Sequence, residues 1–121
     1  MTTWNLNGTS THLFMCNGSS CNRKDAEEVT LAIRDEIAKQ GLDEHIHTTR
    51  TRCNGRCKDA PVVIEFPKGL WYGSLTPELG REIVQKYNQE PIMDYVSYQF
   101  IDGKMARNQK YKAINGISKK K

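Results

Sequence analysis

Thr11-His-Leu-Phe-Met-Cys16-Asn-Gly-Ser-Ser-Cys21 opens the decisive stretch of this chain. It runs on through Asp25–Gln40 to Glu44-His-Ile-His-Thr-Thr-Arg-Thr51. Residues 11–15 read as a short strand that delivers the chain to Cys16. Residues 25–40 read as a helix, because Ala26, Val29, Ile33 and Ile37 recur at helical spacing with Ala32 beside them. Asp25 followed by Glu28 has the form of a capping box, and Gly41 stands where a left-handed residue closes a helix. Residues 44–51 are β-branched and alternating, which predicts a second strand delivered to Cys53. A strand–helix–strand order needs a crossover, so the two strands are expected to be parallel with the helix on one face. Parallel strands end at the same edge. The loops after Cys16 and before Cys57 should therefore meet, although 31 residues separate the two cysteine pairs.

Downstream, Pro61-Val-Val-Ile-Glu-Phe66 predicts a central strand. Pro67-Lys-Gly69 is a turn, and Leu70-Trp-Tyr-Gly73 pairs back as a hairpin. Thr76-Pro77-Glu78 opens a second helix, with Thr as N-cap, Pro in the first helical position and an acid in the first turn. Leu79, Ile83, Val84 and Tyr87 form its core face, and Pro91 stops it. Val96, Tyr98 and Phe100 alternate as a final strand or a dimer-contact segment.

A length of 121 residues specifies one domain, and a mean hydropathy of -0.69 specifies a lean core. No apolar run reaches the roughly 18 residues of a membrane span, and MTTWNLNGTSTH lacks a basic-then-apolar leader. A cytoplasmic protein is expected, without membrane attachment. The net charge of +4 is uneven: residues 102–121 hold seven Lys/Arg against one Asp, while residues 1–101 hold eleven against thirteen acids. We therefore divide the chain into an N-terminal arm (1–10), a domain (11–101) and a basic C-terminal tail (102–121). The tail reads as a solvated extension, or as a segment docking on an acidic partner or a second copy. One aromatic, Tyr111, and no basic stripe on a folded face argue against nucleic-acid binding.

Four cysteines form two pairs, Cys16-x₄-Cys21 and Cys53-x₃-Cys57, and each pair begins Cys-Asn-Gly. Asn and Gly tolerate positive φ, so both loops can curl tightly and turn amides toward sulfur. In a reducing compartment such pairs bind metal or do redox chemistry rather than form a disulfide framework. Neither pair has the C-x-x-C spacing of a thiol–disulfide enzyme. Structural zinc accepts four cysteines but usually through a two-residue knuckle. Plant-type ferredoxin spacing and the two histidines of a Rieske centre are both absent. His12, His45 and His47 show no ligand spacing, and they read as surface or sheet residues. Spacing alone leaves a [2Fe–2S] cluster, a zinc site and other redox uses open.

The run Leu13-Phe-Met-Cys16 with Cys21, then Thr51-Arg-Cys-Asn-Gly-Arg-Cys57 and Asp59-Ala-Pro-Val-Val-Ile64, resembles the thioredoxin-like [2Fe–2S] ferredoxins. These include the Shethna-type ferredoxins and the related small subunit of NADH dehydrogenases. The likeness continues through Trp71-Tyr-Gly73, Thr76-Pro77 and Pro91-Ile92, and covers about residues 11–100. Shethna-type members have a longer first loop; the short one here is similar to the respiratory subunit and to a bacterial ferredoxin branch. No N-terminal helical extension precedes residue 11, which suits a free-standing carrier.

The resemblance implies an α/β, thioredoxin-like fold, in keeping with the small mixed sheet and two main helices read above; the appended basic tail past residue 101 is not part of the family core, and the resemblance says nothing about it. It implies that Cys16, Cys21, Cys53 and Cys57 ligate a [2Fe–2S] cluster; our own expectation for the pairing is Cys16 and Cys21 on one iron and Cys53 and Cys57 on the other. It further implies a homodimer that passes single electrons to redox partner proteins. The sequence holds no nucleophile–base arrangement, paired-carboxylate motif or phosphate-binding glycine loop, so an enzyme acting alone is not expected. Gly18, Ser19, Ser20, Asn54, Gly55 and Arg56 are candidate hydrogen-bond donors to the sulfurs. Arg23, Lys24, Arg52 and Arg56 are candidate positive charges nearby, while Trp4, Trp71 and Tyr72 read as packing residues. The alternatives are a zinc-stabilised Cys₄ interaction module with a partner-holding tail, and an accessory factor of a cofactor-biosynthetic pathway such as that of cobalamin.

Overall fold

β1 (Thr11–Cys16) and β2 (Ile46–Thr51) lie parallel, Thr11 opposite Ile46 and Cys16 opposite Thr51, in a computed structural model that describes residues 3–111 and 116–119. Between them come a single helical turn, α1 (Ser19–Asn22), and the long helix α2 (Ala26–Lys39). There follow β3 (Val63–Phe66), β4 (Leu70–Tyr72), α3 (Pro77–Gln85), β5 (Val96–Ile101) and β6 (Lys104–Arg107). The six strands form one mixed sheet in the order β2-β1-β3-β4-β5-β6, parallel only between β1 and β2.

Both long helices pack on one face of this sheet. Leu13 and Met15 of β1 meet Val29, Ile33 and Ile37 of α2, together with Ile83 and Val84 of α3, in the main core. Gly80 lets the helices approach closely, since a Cβ there would lie 3.0 Å from the Ile33 side chain. The opposite face has no helical layer among the described residues. Register sets a row across it from Phe14 to Ile64, Trp71, Tyr98 and Arg107. Phe66 and Phe100, on the same face, are 61% and 52% exposed.

Local signals hold at two helix ends and fail at a third. Gly41 takes φ +66, and Gly41 and Leu42 donate their N–H groups to Ala38 and Ile37, closing α2 as a Schellman motif. Thr76 accepts a hydrogen bond from the Leu79 amide at 3.2 Å, and Pro77 is the first residue of α3. The capping box expected at Asp25 does not form. Asp25 is itself left-handed, at φ 68, and its side chain makes no capping bond, because the chain turns sharply from α1 into α2.

The basic tail also needs correction, since the boundary drawn at residue 101 falls inside a hairpin. Asp102 and Gly103 take φ 52 and 83, and β6 pairs antiparallel with β5. Tyr111 is buried. The remainder of the expected tail lies partly outside the described residues, at 112–115 and 120–121, as do residues 1–2 of the expected arm. Residues 3–10 carry no helix or strand, and Trp4 is 70% exposed.

Candidate metal centre

Because β1 and β2 run side by side, their carboxyl ends release two loops at one edge of the sheet. The ladder continues one residue beyond β1, where the Asn17 amide donates to Thr51 O at 2.8 Å. Cys16, Cys21, Cys53 and Cys57 line a single cleft of about 250 Å³, together with Gly18, Ser19, Ser20, Asn54, Arg56 and Val62. The predicted convergence of the four cysteines is thus present. None is in a disulfide.

Cys16 and Cys21 are buried, packed with Ala26, Ala60 and Val62 in a second small core that Ile64 and Trp71 flank. Cys53 and Cys57 are exposed at the mouth, their sulfurs 3.4 Å apart. The Cys16 thiol donates to Arg52 O at 3.6 Å. Burial pushes the Cys21 thiol up to about 12, reinforced by its hydrogen bond with Cys16; a backbone hydrogen bond from Val62 works the other way. Without metal this sulfur holds its proton, and metal binding must displace it.

The two Cys-Asn-Gly repeats reach their geometry differently. Gly55 is left-handed at φ 86, and its N–H donates to Cys53 Sγ at 3.3 Å, curling the backbone around the sulfur as expected. Gly18 has φ -67, which any residue can adopt. Its lack of a side chain serves contact instead: a Cβ there would lie 2.9 Å from the Cys53 amide nitrogen. Asn17 donates to Met15 O and Thr30 Oγ1, while Asn54 donates to Thr51 Oγ1 at 2.7 Å, so each asparagine ties its loop to the adjoining strand or helix.

Of the expected positive charges, Arg56 is engaged elsewhere. It reaches the carboxylate of Asp59, with Nε at 2.6 Å and Nη2 at 2.5 Å, and lies over the Tyr98 ring. Arg23, Lys24 and Arg52 are exposed around the loops. The histidines stand apart: His12 contacts His47 and Thr49 on the sheet, and His45 stacks on Tyr87. Sequence reading missed Val62 as a wall of the cleft and Asp59 as the partner of Arg56. The spacing Arg56-x-x-Asp59, one turn apart, was the available signal for the latter.

The four thiols suit a two-metal core. A lone zinc ion needs every sulfur at one tetrahedral point. Here Cys21 pairs with Cys16, and Cys53 pairs with Cys57. Two thiolates for each of two bridged irons is the [2Fe–2S] arrangement.

A thioredoxin-like sheet presenting four cysteines, none in a disulfide, in one cleft beside the ends of its parallel strands fits a metal-binding class of that fold. Residues 3–88 match the model of the thioredoxin-like [2Fe-2S] ferredoxins. The chain belongs to that family. A Priestia megaterium protein provisionally named a 2Fe-2S ferredoxin is 58% identical over 87 residues, spanning 72% of this chain and 68% of that one. A 2Fe-2S ferredoxin of Clostridium pasteurianum is 30% identical over 84 residues, 63% of this chain and 82% of its own. Among solved structures, a thioredoxin-like [2Fe-2S] ferredoxin from Aquifex aeolicus superposes with a TM-score of 0.69 at 28% identity, covering 81% of this chain and 99% of that one.

Proposed function

We propose that Cys16, Cys21, Cys53 and Cys57 hold a [2Fe–2S] cluster and that the protein carries single electrons between partner proteins. The observation that carries this reading is the shared cleft, where loops from two distant parts of the chain bring four free thiols together. When bound, the cluster supplies reversible uptake of one electron. The chain's own residues fix the sulfurs, seal two of them in an apolar wall and leave two at the surface. Exposed Cys53 and Cys57 mark the side from which an electron reaches a partner. We assign no reaction of its own to the protein and place it in the cytoplasm; among the described residues no helix is long and apolar enough to cross a membrane.

A homodimer belongs to the same reading. Phe66 and Phe100 expose aromatic surface on the sheet face that carries no helices, and a second copy seated there would cover it.

Anaerobic purification tests the central claim. A red-brown protein with two irons and two sulfides per chain, and a rhombic EPR signal on reduction, is the expected result. A colourless, EPR-silent protein holding zinc would overturn it. Serine in place of any of the four cysteines should abolish or grossly alter the spectrum, and an unchanged spectrum would remove that residue from the ligand set.

A further inference from the structure

The chain beyond residue 88 lies outside the span that the family model matches, yet it returns to the second cysteine loop. Asn108 fixes its exit from β6: the side chain donates to Met93 O and Val96 O, both at 2.7 Å, and its amide donates to Ser97 O. Tyr111 follows and is 8% exposed, its hydroxyl 2.6 Å from Ser74 Oγ. Ser74 in turn donates its backbone N–H to Asp59 O at 2.6 Å. Between them Gly73 leaves room for the phenol, since a Cβ there would lie 2.7 Å from the Tyr111 oxygen and 3.0 Å from Asp59 O. Asp59 holds Arg56, and these two residues bracket Cys57. A Cβ at Gly116 would come within 3.1 Å of Arg56 Nη1, so the chain passes the same loop a second time.

We propose that residues 108–111 after β6, keyed by Tyr111 into the seat of Gly73, Ser74 and Asp59, brace the Cys53–Cys57 loop. Tyr111 is then a positioning residue for metal retention. The inference rests on the reading that Cys53 and Cys57 are ligands. Ordinary packing of a chain end would stabilise the sheet as a whole. Here the contacts terminate on Asp59, whose carboxylate fixes Arg56 on the other side of Cys57, so the effect falls on one loop. The first loop, Cys16–Cys21, makes none of these contacts and serves as the internal control.

The test compares full-length wild type with Tyr111→Phe, Tyr111→Ala and Ser74→Ala, each reconstituted anaerobically with iron and sulfide. Loss of visible absorbance in excess EDTA should run roughly tenfold faster in Tyr111→Ala, the scale of one lost buried hydrogen bond with its aromatic anchor. Tyr111→Phe, which keeps the ring, should fall between. Amide hydrogen exchange should quicken over residues 54–60 while residues 11–22 stay as in wild type. Unchanged EDTA kinetics, or exchange rising equally in both loops, would overturn the brace. Should Tyr111→Ala not fold, Tyr111→Phe and Ser74→Ala decide by the same criteria. If wild type takes up no iron, the ligand reading falls instead, and exchange in the metal-free proteins alone decides the brace.

Discussion

Gly18 and Gly55 occupy the same place in two Cys-Asn-Gly repeats and answer different demands. The turn at Gly55 could be anticipated, because a left-handed residue is a local requirement that glycine meets. The role of Gly18 could not, because its neighbour is Cys53, far along the chain. Gly18→Ala should wedge the two loops apart; iron content after reconstitution should fall well below wild type with the far-UV spectrum unchanged, and full occupancy would show that the loops can shift at no cost. Arg56 likewise takes a different role from the one its position suggests. As a free charge it would raise the cluster potential directly, but it is bound to Asp59, whose side chain is 3% exposed. Arg56→Ala strands that carboxylate, so the protein should lose about 3 kcal/mol in urea unfolding, and redox titration should find a lower midpoint. A midpoint equal to wild type would mean that the pair is electrically silent toward the metals.

At the scale of elements, signals carried within a few residues of sequence were readable. Thr76 and Pro77 announce α3, and Gly41 ends α2. Thr76→Ala should cost about 1 kcal/mol of stability by chemical denaturation; no change would mean that water replaces the hydroxyl. Asp25 misled because aspartate favours both N-caps and left-handed turns, and only the preceding helical turn decides between them. The parallel pairing of β1 and β2 followed from the crossover rule alone, and with it the meeting of four cysteines. β6 was overlooked for its charge. Lys104 and Arg107 read as tail, although charged residues are the usual protection of an edge strand. Asp102-Gly103, a strong two-residue hairpin signal, stood beside them.

For the whole molecule, buried acids, Cys21 and Tyr72 among them, weigh on behaviour at high pH. The Cys21 thiol is raised to about 12, and burial with the nearby Glu65 carboxylate raises the Tyr72 hydroxyl. In the unfolded chain both would ionise at their ordinary values near 9 and 10. Above pH 9 the folded, metal-free protein therefore binds more protons than the unfolded one, and its stability must fall as pH rises. The urea midpoint of metal-free protein should drop between pH 8 and 11, and a flat profile would contradict the burial of these groups. Assembly is addressed by the helix-free sheet face. The proposed homodimer is tested there: wild type should sediment as a dimer and Phe66→Glu with Phe100→Glu as a monomer, a dimer in the variant would move the interface elsewhere, and a monomeric wild type would overturn the dimer.

The parallel pairing of the first two strands also sets a timetable. Half of the sulfur donors reach the rim only after the intervening helix has crossed over and the second strand has docked. Before that docking, only the first pair, Cys16 and Cys21, stands at the rim. On the proposed function, iron and sulfide enter beside Cys53 and Cys57, the two cysteines at the surface.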